Sequence, residues 1–141
     1  MANKETVEML ANVPLFSECS KKELQAIAGS AKEVTHRQGA VIAREGDTGM
    51  GFFLITEGTA KVTINGKARG TMGPGDAFGE ISLLDEGPRS ATVTAATPMK
   101  LLGLTAWNFR QLVSHNPSIA QKLLRVMADR LRTASTKELT H

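Results

Sequence analysis

Between Gly39 and Leu104 the apolar residues come in short runs cut by glycine: Val41-Ile42, Phe52-Phe53-Leu54-Ile55, Val62-Thr63-Ile64, Ala91-Thr92-Val93-Thr94 and Leu101-Leu102. Residues that favour strands, set between turn formers every several positions, are the texture of an antiparallel barrel. Asn65-Gly66, between Val62/Ile64 and Ala68, is the dipeptide preferred in a type I′ hairpin, and Gly73-Pro74-Gly75-Asp76 predicts a further turn. The flanks carry a helical period instead. Residues 4–11 are helix-compatible, and Ser20-Lys21-Lys22-Glu23 is a capping box opening a helix that Gly29 ends, with Leu24 and Ile27 toward the core. Thr105 can cap a helix through Val113, on which Trp107 serves as an anchor. Asn116-Pro117 can open a last helix reaching about Ser135.

On that last helix Ala120, Leu124, Met127, Leu131 and Ala134 recur at spacings of four and three, a seam of period 3.5. It suits either a partner helix, such as a second copy in a homodimer, or the chain's own barrel. The cations Lys122, Arg125, Arg130, Arg132 and Lys137 gather on the same helix, as on an ordinary solvated face.

The chain has 141 residues, enough for one domain with a real core and too few for two. One cysteine, Cys19, excludes an intramolecular disulfide and reads as an inert thiol. No apolar run approaches the ~20 residues of a membrane span, and the first residues lack a signal core, so a soluble, cytoplasmic protein is expected. A net charge of +3 without a Lys/Arg block does not require nucleic acid. Catalytic chemistry finds no support either. His36, His115 and His141 stand alone in different segments, the barrel strands as read above carry no histidine for a metal, and Ser82 lacks a nucleophile-elbow surround.

Phe78-Gly79-Glu80-Ile81-Ser82-Leu83-Leu84, followed by Pro88-Arg89-Ser90-Ala91-Thr92-Val93, carries a different chemistry. Gly79 has no Cβ, so a ligand can approach its backbone, and a short helical turn after it offers N–H groups to an anion. Arg89 adds a permanent cation whose planar fork matches two phosphate oxygens. Glu80 repels phosphate, yet accepts hydrogen bonds from sugar hydroxyls and can hold Arg89. The same residues could instead form a mere Glu–Arg staple between loop and barrel.

At these residues the chain resembles the cyclic nucleotide-binding domain family, whose phosphate-binding cassette runs Phe-Gly-Glu, a small hydrophobic helix, then Pro-Arg, a small residue and Ala-Thr-Val. Every element stands between Phe78 and Val93. The resemblance implies a mainly β, α+β fold: a roll of about eight antiparallel strands with an N-terminal helical segment and two C-terminal helices. It divides one domain, 1–141, into helices at 1–35, the β-roll at 36–104 with its cassette at 78–93, helices at 105–135 and a tail at 136–141. Gly46 and Gly58 fall at turn positions of that roll.

By the same resemblance Glu80 takes the ribose 2′-hydroxyl, Arg89 takes the cyclic phosphate, and amides at Gly79, Ile81 and Ser82 complete the anion site. Phe78, Ala91 and Val93 belong to the same pocket. The family's residue after the cassette Arg bears on purine choice, and Ser90 leans to cAMP, with a cGMP-binding module, or a basic nucleic-acid-binding protein with a vestigial cassette, as the alternatives. Aligning Asn116-Pro117 with the family places Ala134-Ser135 where members carry a Thr-Ser pair on the adenine, so Ser135 is the candidate lid residue. Six residues after Ser135 leave no helix-turn-helix, so direct DNA binding is not expected, and a separate protein partner is. The start at Met1 favours a free-standing sensor over an excised one.

Overall fold

The computed structural model describes residues 3–48, 51–85 and 87–139, with side chains to Ser135. Helix α1 (Lys4–Ala11) is capped by Asn3, whose Oδ1 accepts from the Thr6 N–H at 2.7 Å. A 3-10 turn at Pro14–Phe16 leads to α2 (Lys21–Ser30), and the expected capping box opens it. The Glu23 N–H donates to Ser20 Oγ at 3.2 Å, and the Ser20 N–H donates to Glu23 Oε1 at 2.7 Å. Leu24 and Ile27 are buried as the helical period requires. Gly29 does not end the helix; Ala31 does, by turning extended at φ −93° and ψ 162°.

Eight strands follow among the described residues: β1 (Lys32–His36), β2 (Val41–Ala43), β3 (Gly51–Glu57), β4 (Ala60–Ile64), β5 (Lys67–Met72), β6 (Ala77–Phe78), β7 (Thr92–Ala95) and β8 (Met99–Thr105). They form two antiparallel four-stranded sheets, ordered β1-β8-β3-β6 and β2-β7-β4-β5. The expected roll with helical flanks is therefore the observed architecture. Asn65 and Gly66 take φ of 52° and 77°, as a type I′ hairpin between β4 and β5 demands. Pro74 and Gly75 turn the chain into β6, with Gly75 at φ 92° and the Asp76 N–H donating to the Gly73 carbonyl at 3.0 Å.

Two boundaries differ from the sequence reading. Strand β1 starts at Lys32, inside the segment assigned to helices, and it puts His36 on a strand. Its charged residues face solvent at a sheet edge, so the alternation shows only at half-buried Val34 and His36. After α3 (Ala106–His115), helix α4 runs from Pro117 to Leu139, through most of the stretch read as a tail. His141 lies outside the described residues.

The core has two parts. Between the sheets, Ala43, Ile55, Ala60, Val93, Ala95, Met99 and Leu101 close on one another. Outside them, the helices pack on β3 and β8 through a cluster that includes Leu10, Phe16, Ile27, Phe52, Leu104, Phe109, Ile119 and Leu123. Thr105 caps α3 as expected, its Oγ1 accepting from the Asn108 N–H at 3.0 Å. Trp107 does not anchor that helix, because its side chain is 65% exposed while Ala106, Phe109 and Leu112 go inward. On α4 the core takes Ile119, Leu123 and Val126. The seam read from sequence lies to one side. Met127 touches the core, but Leu124 and Leu131 are 68% and 69% exposed. No helix among the described residues is long and apolar enough to cross a membrane.

Candidate functional site

Phe78 ends β6, the short edge strand beside β3, and its ring stacks on Phe53 with centroids 5.3 Å apart. This pair fixes where the chain leaves the sheet. Gly79 then adopts φ 81° and ψ 15°, a left-handed conformation that side-chain-bearing residues avoid, and starts a 3-10 turn at Glu80–Leu83. A Cβ at Gly79 would fall on the Arg89 guanidinium and on the Gly51 carbonyl. Glycine is required there on two counts, backbone angle and space.

Arg89 is positioned by a segment far from it in sequence. Its own N–H donates to the Asp47 carbonyl at 2.8 Å, and its carbonyl accepts from the Gly46 N–H at 2.8 Å. The β2–β3 connection thus clamps the backbone of Arg89 from both sides. At the far end of the side chain, Nη2 donates to the Gly51 carbonyl at 2.6 Å. Gly51 itself must be glycine, since a Cβ on it would collide with Leu104 and Thr105 of the neighbouring strand. Half-burial of the guanidinium lowers its pKa from the ordinary arginine value. An arginine at such a position keeps its charge, and that charge is poorly hydrated and so available to an anion.

These elements enclose a cavity of about 410 Å³ lined by Ala43, Phe78, Gly79, Glu80, Ile81, Ser82, Asp85, Gly87, Pro88, Arg89, Ser90, Ala91 and Val93. Nine of the ten residues expected from sequence therefore meet at one cavity, and Ser135 does not. Ser135 stands exposed near the end of α4, and no described α4 residue lines the cavity. Of the amides expected to face an anion, Ser82 is already engaged, donating to the Gly79 carbonyl at 3.0 Å. The amides that open the turn, at Gly79, Glu80 and Ile81, are the ones a helical start leaves for other partners.

The lining combines apolar Ala43, Phe78, Ala91 and Val93 with polar Glu80, Asp85, Arg89 and Ser90. The described ion pairs do not include one between Glu80 and Arg89. Arg89 rests on a carbonyl, so the Glu–Arg staple is not how this loop is held. Sequence reading missed Ala43, Asp85 and Gly87 as lining residues and Gly46 and Gly51 as supports, while Pro88, quoted within the cassette, also lines the cavity. Gly46 and Gly51 act through backbone N–H and C=O groups, which leave no side-chain signature. Among the described residues there is also no cluster of acidic, histidine and cysteine side chains able to hold a metal.

The chain is 36% identical over 92% of its length to a cyclic nucleotide-gated potassium channel of Mesorhizobium japonicum. It is 38% identical over 76% of its length to the cAMP-dependent protein kinase regulatory subunit of Schizosaccharomyces pombe. It spans 36% of the channel and 26% of the kinase subunit, so it matches one portion of each. Among solved structures, the N-terminal domain of a transcriptional regulator from Streptomyces coelicolor superposes with a TM-score of 0.83 at 34% identity, covering 92% of this chain and 93% of that one. The profile of the cyclic nucleotide-binding domain matches residues 33–116, which hold the whole roll but the first residue of β1, together with the cassette and α3. The chain belongs to the cyclic nucleotide-binding domain family.

Proposed function

We propose that this chain is a sensor that binds a cyclic purine nucleotide, cAMP in preference to cGMP, and relays occupancy through α4. The observation that carries the reading is the grouping of Arg89, the left-handed Gly79 turn and Glu80 around one cavity whose lining also includes Ala43, Phe78, Ala91 and Val93. Each part of the ligand has a counterpart there. The cyclic phosphate takes donors of the Arg89 fork other than the one given to Gly51, together with the amides that open the turn. Glu80 accepts from the ribose 2′-hydroxyl, and the base lies along Ala43, Ala91 and Val93.

The relay has a physical path. Leu83, on the cassette turn, is buried in the cluster that also holds Phe109 and Leu112 of α3 and Ile119 and Leu123 of α4. A ligand that draws the turn toward its phosphate moves Leu83, and a close-packed cluster responds by repacking rather than by stretching. Exposed Leu124 and Leu131 give α4 an apolar ridge for a partner helix, either a second copy of the chain or an effector. The ligand drives the change only as far as it prefers one helix position over the other.

Ser90 sits at the cavity beside Arg89, where a hydroxyl can address the purine, and the kinase-subunit relative is named for cAMP dependence. Calorimetric titration with cAMP, cGMP and 5′-AMP tests the reading. The expected order is cAMP, then cGMP, with 5′-AMP far behind, because a linear monophosphate adds charge and lacks the ring. Ser90→Thr narrows the gap between the purines. Absence of heat with either cyclic nucleotide sinks the proposal, and cGMP binding more tightly than cAMP overturns the choice of base alone.

A further inference from the structure

One carboxylate outside the cavity joins the two ends of the chain. Glu23 lies in the first turn of α2, where Oε1 accepts the Ser20 N–H of the capping box. The same Oε1 accepts from Lys122 Nζ at 2.8 Å, and Oε2 accepts from the Ser118 hydroxyl. Ser118 and Lys122 are four residues apart, on one face of the first two turns of α4. Glu23 is thus the common acceptor for the start of α2 and the start of α4, 95 and 99 residues along the chain.

The site is sheltered, with the Glu23 side chain 11% exposed and Lys122 27%. The hydrogen bond from Lys122, then those from Ser118 and Ser20, hold the Glu23 carboxyl down at about 2. A second pair from the same N-terminal segment, Arg125 with Glu18 at 3.9 Å, is exposed at 63% and 44% and adds little. Apart from these polar contacts, α4 is held by Ile119, Leu123 and Val126, which are buried in the core along its first half. Residues 128–135 are all exposed, and no described α4 residue reaches the cavity.

We propose that Glu23 is a latch that fixes α4 to the N-terminal helices, off the nucleotide cavity, and so sets how much cyclic nucleotide is needed to move it. The proposal rests on the reading that the cavity takes a cyclic nucleotide and that α4 carries the response. A helix tied in one position taxes every ligand that prefers another, because apparent affinity falls with the fraction of molecules in the preferred position. Releasing the tie should tighten binding, the opposite of what damage to a binding protein does.

The test uses the whole chain and two variants. Ser118→Ala/Lys122→Met breaks both bonds to α4 while leaving the Ser20–Glu23 box and the stem packing of residue 122 in place; Glu23→Gln weakens latch and box together. The expected result for the double variant is cAMP binding about ten- to a hundredfold tighter by calorimetry, the span of one lost charge-assisted bond. Amide exchange at 118–126 without nucleotide should also become faster. Parent affinity in the double variant, with the parent binding cAMP normally, overturns the latch. Unchanged exchange at 118–126 overturns it whatever the ligand does. Faster exchange in a protein whose parent form binds no cyclic nucleotide supports the tie and removes the nucleotide reading instead. Glu23→Gln with lower thermal stability and parent affinity, matched by the double variant, assigns Glu23 to the capping box alone and also overturns the proposal.

Discussion

Gly79→Ala is the substitution whose cost the geometry states most fully. At φ 81° an alanine is in the left-handed region, at roughly 1–2 kcal/mol. Its Cβ would fall on the Gly51 carbonyl and on the Arg89 guanidinium. The carbonyl is backbone of a strand paired with β8 and moves little, so the guanidinium must leave, breaking its 2.6 Å bond to Gly51. A hydrogen bond from a charged donor contributes about 1.5–3 kcal/mol. Adding strain and lost bond gives about 2.5–5 kcal/mol of destabilisation, read as a lower urea midpoint at unchanged slope. With its cation displaced, the variant should also bind cAMP about ten- to a hundredfold more weakly, equivalent to ~1.4–2.8 kcal/mol. Gly87 is the internal control. It lines the same cavity, has no left-handed φ, and its added Cβ would meet the Asp85 carboxyl group at ordinary contact distances of 3.6–3.9 Å. Gly87→Ala should stay within about 0.5 kcal/mol of the parent. If Gly79→Ala matches the parent in both midpoint and affinity, the packing of Gly79, Gly51 and Arg89 described above is wrong.

Glu80→Gln should cost roughly 1.5–3 kcal/mol of cAMP binding and much less with 2′-deoxy-cAMP, because only the ribose form offers the hydroxyl; equal losses would assign Glu80 to shaping the site. The Glu23 carboxyl, held at about 2 against an ordinary ~4.3, binds fewer protons folded than unfolded in the acid range. Its stabilisation is therefore complete above about pH 5 and lost as pH falls toward 2, and Glu23→Gln should flatten that part of a thermal-stability profile. Cys19 is pushed up to about 11, by burial first and then by the nearby Glu23 charge. Labelling with a disulfide reagent at pH 8 should be slow in the native protein and fast in urea, and a rapid native reaction would contradict the burial.

What could be read from the chain beforehand was what is written locally. The cassette from Phe78 to Val93 is nearly contiguous, each position having a backbone or charge reason to be the residue it is. The capping box at Ser20–Glu23 and the hairpin at Asn65-Gly66 are local for the same reason. What sequence hid was carried by backbone atoms or by distance. Gly51 supports Arg89 through a carbonyl, and Gly46 clamps it through an amide. Strands β1 and β5 are exposed edges, so Lys32–His36 and Lys67–Met72 show polar faces where a buried strand would show apolar runs.

Helix α4 presents two apolar series offset by one position, Ile119/Leu123/Val126 and Ala120/Leu124/Met127/Leu131. Either can serve as the buried face of an isolated helix. The packing of Phe16, Phe109 and their neighbours decides for the first, and Ser135 does not line the cavity. Glu23 illustrates the same limit, since its capping role is local and its bonds to Ser118 and Lys122 depend on the fold.

The account stands most directly on Arg89 as the cation for a bound cyclic phosphate. Calorimetric titration of cAMP into the parent, Arg89→Ala and Arg89→Lys tests it in one series. The alanine should lose roughly 2–5 kcal/mol, the cost of leaving a desolvated charge without its partner. The lysine should recover only part, having one point charge in place of a fork already anchored on Gly51. Arg89→Ala binding cAMP as tightly as the parent would contradict the account at its centre.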